Sequence, residues 1–227
     1  MPPAVRSSRP RLALFDCDGT LVDSQADICA AMDEAFAVHG LAAPERHDTR
    51  RIVGLSLHEA MRRLHPAGED ATHGALAESY RQAFRDRRSA GSLTEPLYDG
   101  IAALIADLAA EGWLLGVATG KSDRGLTHCL ATHGLTDHFV TLQTADRHPS
   151  KPHPSMIEAA LAATGVLPGD TAMIGDTAYD MEMARNAGVR AFGVSWGYHE
   201  PSELVHAGAE AVADTIDDLR ALLRTMA

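Results

Sequence analysis

Four short and almost uninterrupted apolar runs punctuate the chain: RLALFD at 11–16, WLLGVATG at 113–120, TAMIGD at 171–176 and VRAFGVS at 189–195. A strand with one wet face alternates apolar and polar residues, whereas runs without alternation describe strands covered on both faces. A weaker fifth run, HFVTLQTA, follows the second. Between the runs stand helical patterns such as DGIAALIADLAAEG, with Ile101, Leu104, Ile105 and Leu108 on one face and Gly112 as the stop. Strands alternating with helices imply an α/β fold, a parallel sheet with helices on both sides.

The alternation breaks once. From Ser24 to about Pro96 only helical patterns appear: Ile28, Met32 and Phe36 at four-residue spacing up to Gly40, then SLHEAMRRL, then ALAESYRQAFRDRR. A connection this long inside a compact domain is a unit of its own. Residues 1–23 and 96–227 are therefore expected to form the core, with 1–10 a frayed tail, and 24–95 an inserted helical domain. Its apolar stripes read as packing.

Composition narrows the partners. With 31 acidic and 20 basic residues the formal charge is −11, which disfavours nucleic acid and anionic membrane and requires a local cationic site for any small anionic substrate. The N-terminal MPPAVRSSRP has no apolar h-region, and no run approaches the ~18 apolar residues of a membrane span. Cys17, Cys29 and Cys129 form neither a CxxC pair nor an even set, which fits a reducing cytoplasm. The 12 histidines match neither HExxH nor a zinc-finger spacing.

Each strong strand ends in a polar residue and a tight turn: Asp16 and Asp18 with Gly19, Thr119 with Gly120, and Asp176 after Gly175. In an open parallel sheet the carboxyl ends share one edge, where ligands bind. Side-chain alternation through Cys17 would aim Asp16 and Asp18 at the same side. With Asp176 nearby, three carboxylates would meet, an all-oxygen set suited to Mg²⁺. Of the 20 basic residues 18 are arginine, and the only lysines are Lys121, directly after ATG, and Lys151 in PSKPHP. A compact ammonium acting as a point charge on a phosphoryl group accounts for keeping lysine at such places.

DCDGT, VATG, Lys151 and GDTAYD, in that order, make the chain similar to the haloacid dehalogenase superfamily of phosphohydrolases, from Leu12 to Leu223. Within it, DGTLVDS, SKPHP and IGDTAYDMEMARNAG resemble the phosphoglycolate phosphatase-like branch. The resemblance implies a Rossmann-like, doubly wound core with a helical cap of the first type. It implies Asp16 as nucleophile, through an aspartyl-phosphate, and Asp18 as acid and base whose backbone carbonyl ligates Mg²⁺. Thr119 and Gly120 would bind phosphoryl oxygens, and Lys151 would neutralise both nucleophile and transferring group. Asp176 would complete the metal's ligands. For Asp180 direct ligation, a metal-bound water and plain helix capping all stay open. Lys121 would border the site, and Gly54 would shape either a covering loop or a simple interhelical turn.

A dehalogenase would lack Asp18 and metal. A sugar phosphomutase of the superfamily typically carries a basic residue after its Gly-apolar-Ser stretch, where this chain has Leu57 after GLS. A phospho-acceptor signalling module would have no insertion. The expected partner is a small phosphorylated metabolite, with 2-phosphoglycolate the first candidate and Arg50 and Arg51 the candidate cations for its carboxylate.

Overall fold

The computed structural model describes residues 9–226; residues 1–8 of the expected tail lie outside them. Six strands, β1 (Leu12–Phe15), β2 (Leu114–Thr119), β3 (Thr141–Thr144), β4 (Thr171–Gly175), β5 (Arg190–Val194) and β6 (Ala211–Ala213), form one sheet in the order β3-β2-β1-β4-β5-β6. Every pairing is parallel. This is the doubly wound order whose chain direction reverses beside the first strand. The five strands expected from the sequence are present. The sixth is only three residues, Ala-Val-Ala, too short to display a period.

β1 shows why its apolar run does not alternate. Ala13 and Phe15 point into one cluster with α5 (Ile101–Ala110), α6 (Asp123–Thr132) and α10 (Ile216–Arg224). Leu12 and Leu14 point into the other, with α7 (Ser155–Thr164), α8 (Ala178–Ala187) and α9 (Pro201–Ala207). Both faces are covered, and all four residues are fully buried. Register then sets the site: Phe15 pairs with Val117 on one side and Ile174 on the other, so Asp16, Thr119 and Asp176 emerge at one edge.

Between β1 and α5 the chain forms α1 (Gln25–Val38), α2 (Arg46–Arg51), α3 (Leu57–Leu64) and α4 (Asp70–Ser89). These helices carry an apolar cluster of their own, built on Met32, Phe36, Leu55, Met61 and Leu76. The outgoing and returning connections run side by side. Asp23 N–H donates to Pro96 O at 2.9 Å, Tyr98 N–H donates to Leu21 O at 3.1 Å, and Val22 and Leu97 form an antiparallel bridge. Among the described residues no helix is long and apolar enough to cross a membrane.

Candidate active site

The turn after β1 parts the two aspartates that side-chain alternation would have aimed together. Cys17 O accepts from the amides of Thr20, Leu21 and Val22, which folds the chain back on itself. Cys17 turns into the core, Asp16 faces the sheet edge, and Asp18 reaches a separate group of polar residues. The three-acid cluster is consequently Asp16, Asp176 and Asp180, whose carboxylate oxygens lie within 4.8 Å of one another. The carboxylate of Asp18 is not part of it, which corrects the expected set of three.

Lys151, fully buried, stands in this cluster with Nζ 3.0 Å from Asp16 Oδ1 and 2.6 Å from Asp180 Oδ1. Burial alone would lower its pKa, but the two carboxylates overcome this and raise it, so it stays charged. Asp16 Oδ1 also accepts from Cys17 N–H at 2.7 Å. Its Oδ2 is buried without any hydrogen-bond partner. Burial pushes the Asp16 carboxyl up to about 7, with Lys151 pulling it down and Asp180 and Asp18 pushing it up. Asp176 is likewise raised, by burial first and then by Asp16 and Asp180.

Two raised carboxyls and an orphaned buried oxygen describe a site short of positive charge by more than Lys151 supplies. An all-carboxylate set of this size fits a hard divalent cation such as Mg²⁺. Asp176 is held from three directions. Thr20 Oγ1 donates to Oδ1 at 2.8 Å, Tyr198 N–H donates to Oδ2 at 2.9 Å, and Gly19 and Gly197 leave the space beside it. At Gly19, where φ is +86°, an added Cβ would come within 2.2 Å of Asp176 Oδ2.

Asp180 has both oxygens engaged. Oδ1 accepts from Lys151, and Oδ2 accepts from Thr177 N–H at 3.1 Å and Thr177 Oγ1 at 2.6 Å, closing a capping box at the start of α8. Thr119 is buried at the end of β2, and its Oγ1 accepts from Lys121 N–H at 3.2 Å. Gly120 packs beneath the insertion. A Cβ there would meet Leu55 O at 2.6 Å and Gly54 O at 2.7 Å, so the stretch around Gly54 covers the sheet edge.

Lys121 does more than border the site. Its Nζ lies 2.6 Å from Asp18 Oδ1 and 2.6 Å from Glu95 Oε1, and Ser24 Oγ also donates to Asp18 Oδ1. Burial opposes the charge on Lys121, and Asp18 and Glu95 restore it, raising the pKa well above its ordinary value. Sequence reading missed Glu95, Ser24, Thr20 and the Tyr198 amide. Of these Thr20 and Ser24 carried a signal, as the last residues of DCDGT and DGTLVDS.

Arg50 and Arg51 do not face the site. Arg51 Nη1 pairs with Glu203 of α9 at 2.6 Å, and neither arginine lines the cavity beside Asp18. Both belong to the last turn of α2, and Arg51 O accepts from Tyr179 OH and His199 Nε2 of the core. That cavity, about 550 Å³, runs from Asp18, Gly120 and Lys121 under the helices of the insertion. With Ser56 N–H donating to Ser150 Oγ at 2.8 Å and Arg63 Nη1 donating to Tyr179 OH at 2.8 Å, insertion and core are joined around it.

A Rossmann-like sheet with a buried lysine and three carboxylates at its switch point defines a class of hydrolase cores. The haloacid dehalogenase-like hydrolase family profile matches residues 13–194, and the chain belongs to that family. It is 34% identical over 213 residues to "Probable phosphatase IndB" of Dickeya dadantii, covering 92% of this chain and 91% of that one. It is 30% identical over 217 residues to a phosphoglycolate phosphatase of Pseudomonas putida, covering 94% and 79%. The crystal structure of a predicted phosphatase from Clostridium acetobutylicum superposes with a TM-score of 0.87 at 26% identity, covering 96% of this chain and all of that one.

Proposed function

We propose that the chain is a Mg²⁺-dependent phosphatase that hydrolyses a small phosphate monoester through an aspartyl-phosphate on Asp16, with residues 24–95 acting as a cap. The class, a phosphoric monoester hydrolase, follows from the family and its phosphatase relatives. The observation that carries the mechanism is the free, buried Oδ2 of Asp16 beside Lys151 and Asp176. An oxygen without a partner in so dense a polar cluster is available for attack and for a cation.

Asp16, Asp176 and the backbone carbonyl of Asp18 would hold Mg²⁺, which when bound offsets charge on the phosphoryl group. Asp180, left open in the sequence between ligand, holder of a metal-bound water and cap, stands in the same acid cluster, caps α8 with Thr177 and orients Lys151. Asp16 attacks phosphorus, the bond to the substrate oxygen breaks, and Asp18 gives that oxygen a proton. Ser24 and Lys121 fix Asp18 Oδ1 in place for this transfer. Asp18 then takes a proton from water, which attacks phosphorus and regenerates the Asp16 carboxylate with release of phosphate. Thr119 Oγ1, the Gly120 amide and Lys151 Nζ bind the transferring oxygens.

Leu57 opens α3 and lines the cavity, at the position where a phosphomutase of the family typically carries a basic residue. A phospho-acceptor module would turn over little, which multiple turnover of a small ester distinguishes. Its three free cysteines support a cytoplasmic setting. The test is steady-state turnover of p-nitrophenyl phosphate and 2-phosphoglycolate with Mg²⁺. Activity is expected to vanish on metal chelation and in Asp16→Asn, which keeps the fold but lacks a nucleophile. Turnover by a folded Asp16→Asn variant at near the parent rate would place the chemistry elsewhere.

A further inference from the structure

The cavity beside Asp18 lies on the leaving-group side of the proposed reaction. Its floor is Asp18, Gly120 and Lys121, and it does not include Asp16, Thr119 or Lys151. Whatever fills it is the alcohol portion of the ester. With the cap already joined to the core at Ser56 and Ser150, about 550 Å³ is within the range of sites for drug-sized ligands and generous for a two-carbon acid.

The roof of this cavity is ordered along one helix. Tyr80, Phe84 and Arg88 follow at four-residue intervals on α4, which puts them on a single face, and all three line the space. Ile28 and Met32 of α1 add to its apolar wall. The Tyr80 and Phe84 rings sit 5.0 Å apart, tilted by 42°. Eight residues at ~1.5 Å rise separate the Tyr80 and Arg88 backbones by roughly 12 Å along the helix axis.

Arg88 is the cation of this face that nothing engages. Arg81 and Arg85 pair with Glu78, and Arg87 pairs with Glu34 and Asp27. Arg88 has no ion-pair partner among the described residues, and its Nε is buried without an acceptor. A buried guanidinium N–H left unmatched costs free energy that an anionic ligand group removes, and a planar fork matches a carboxylate.

We infer that the substrate is a phosphate monoester whose alcohol carries an apolar, ring-sized body ending in a carboxylate, with the body against Tyr80 and Phe84 and the carboxylate on Arg88. This rests on the phosphatase reading above and replaces 2-phosphoglycolate, whose two-carbon acid has nothing to set against the apolar wall of Ile28, Met32, Tyr80 and Phe84, as the first candidate. Arg88 is then the residue that sets specificity.

Three esters of primary alcohols separate the contributions: [4-(phosphonooxymethyl)phenyl]acetate, its uncharged counterpart 4-ethylbenzyl phosphate, and 2-phosphoglycolate. With Mg²⁺, kcat/KM for the first is expected to exceed each of the others tenfold or more. Arg88→Leu brings the ratio of acid to uncharged ester close to one, and Arg88→Lys retains part of it, with circular dichroism checking both folds. A parent ratio near one, a ratio that survives Arg88→Leu, or 2-phosphoglycolate equal to or better than the aromatic acid overturns the inference. Turnover of p-nitrophenyl phosphate in any of those cases leaves the phosphatase reading standing. Its absence with Mg²⁺ brings down both.

Discussion

Lys151 and Lys121 each lie between two carboxylates at the carboxyl edge of the sheet, yet their surroundings are built differently. Lys151 is held by Asp16 after β1 and Asp180 in α8, both fixed to the sheet, and Asp180 is itself locked by the Thr177 capping box. Lys121 is held by Asp18 and by Glu95, which precedes Pro96 on the connection returning from the insertion. The first arrangement is a product of the core alone. The second exists only where the insertion rejoins the core. Rigid elements thus fix the lysine beside the proposed nucleophile, while Asp18, the proposed proton-transfer group, shares Lys121 with a residue on the connection returning from the insertion.

The strongest test of this contrast is Lys151→Met. It strands Asp16 and Asp180 in the interior, and breaking a buried pair from one side costs about 3–5 kcal/mol. Urea unfolding is expected to show that loss, with turnover reduced to background. A variant of parental stability would mean that the core does not depend on this group.

Lys121→Met is expected to be milder, a loss of roughly 10- to 100-fold in kcat, as the acid is displaced but not removed. Glu95→Gln should shift the pH–rate profile while leaving Lys121 paired with Asp18. If Lys121→Met abolished turnover as fully as Lys151→Met, the two groups would not differ as their construction implies.

Metal removal sharpens the comparison further. Burial pushes the Asp16 carboxyl from an ordinary 3.8 up to about 7, so its contribution to stability is expected to be complete below about pH 4 and to be lost as pH rises through about 7. A cation at Asp16 and Asp176 opposes that loss. Mg²⁺ is therefore expected to raise Tm more at pH 8 than at pH 5. An equal shift at both pH values would place the ion elsewhere. The smallest effect belongs to Arg51→Ala, which removes a half-exposed pair with Glu203. About 1 kcal/mol or less of stability and about a twofold change in kcat/KM are expected, measured by thermal melts and initial rates.

What was legible in the sequence followed from local pattern. Apolar runs covered on both faces, each stopping at a polar residue, announce the sheet and its working edge, and Lys151 stood out because lysine is so scarce here. Illegible features depend on distant partners. Nothing around Glu95 announces Lys121, 26 residues on, and nothing in the run Asp16-Cys17-Asp18 announces the three amides that bend it around Cys17 O. Arg50 and Arg51 were misplaced for the same reason. They neighbour GLS in sequence, but neither lines the cavity, and Arg51 pairs with Glu203 of α9.

Gly19 and Gly197 bear on how a chain of this kind can diverge. A Cβ at either position would come within 2.2 Å of Asp176, one at its Oδ2 and the other at its Cβ, and Asp176 is itself pinned by Thr20 and Tyr198. With no room for even a methyl group, single replacements at these two positions disturb the floor before they alter any preference. No hydrogen bond joins Tyr80, Phe84 or Arg88 to Asp176 or its partners, so exchanges along that row are expected to alter the alcohol portion that is accepted and to leave phosphate handling intact. Heritable change in substrate choice would then be channelled into the helical roof, and a library randomised there should return folded, active descendants far more often than one randomised around Asp176.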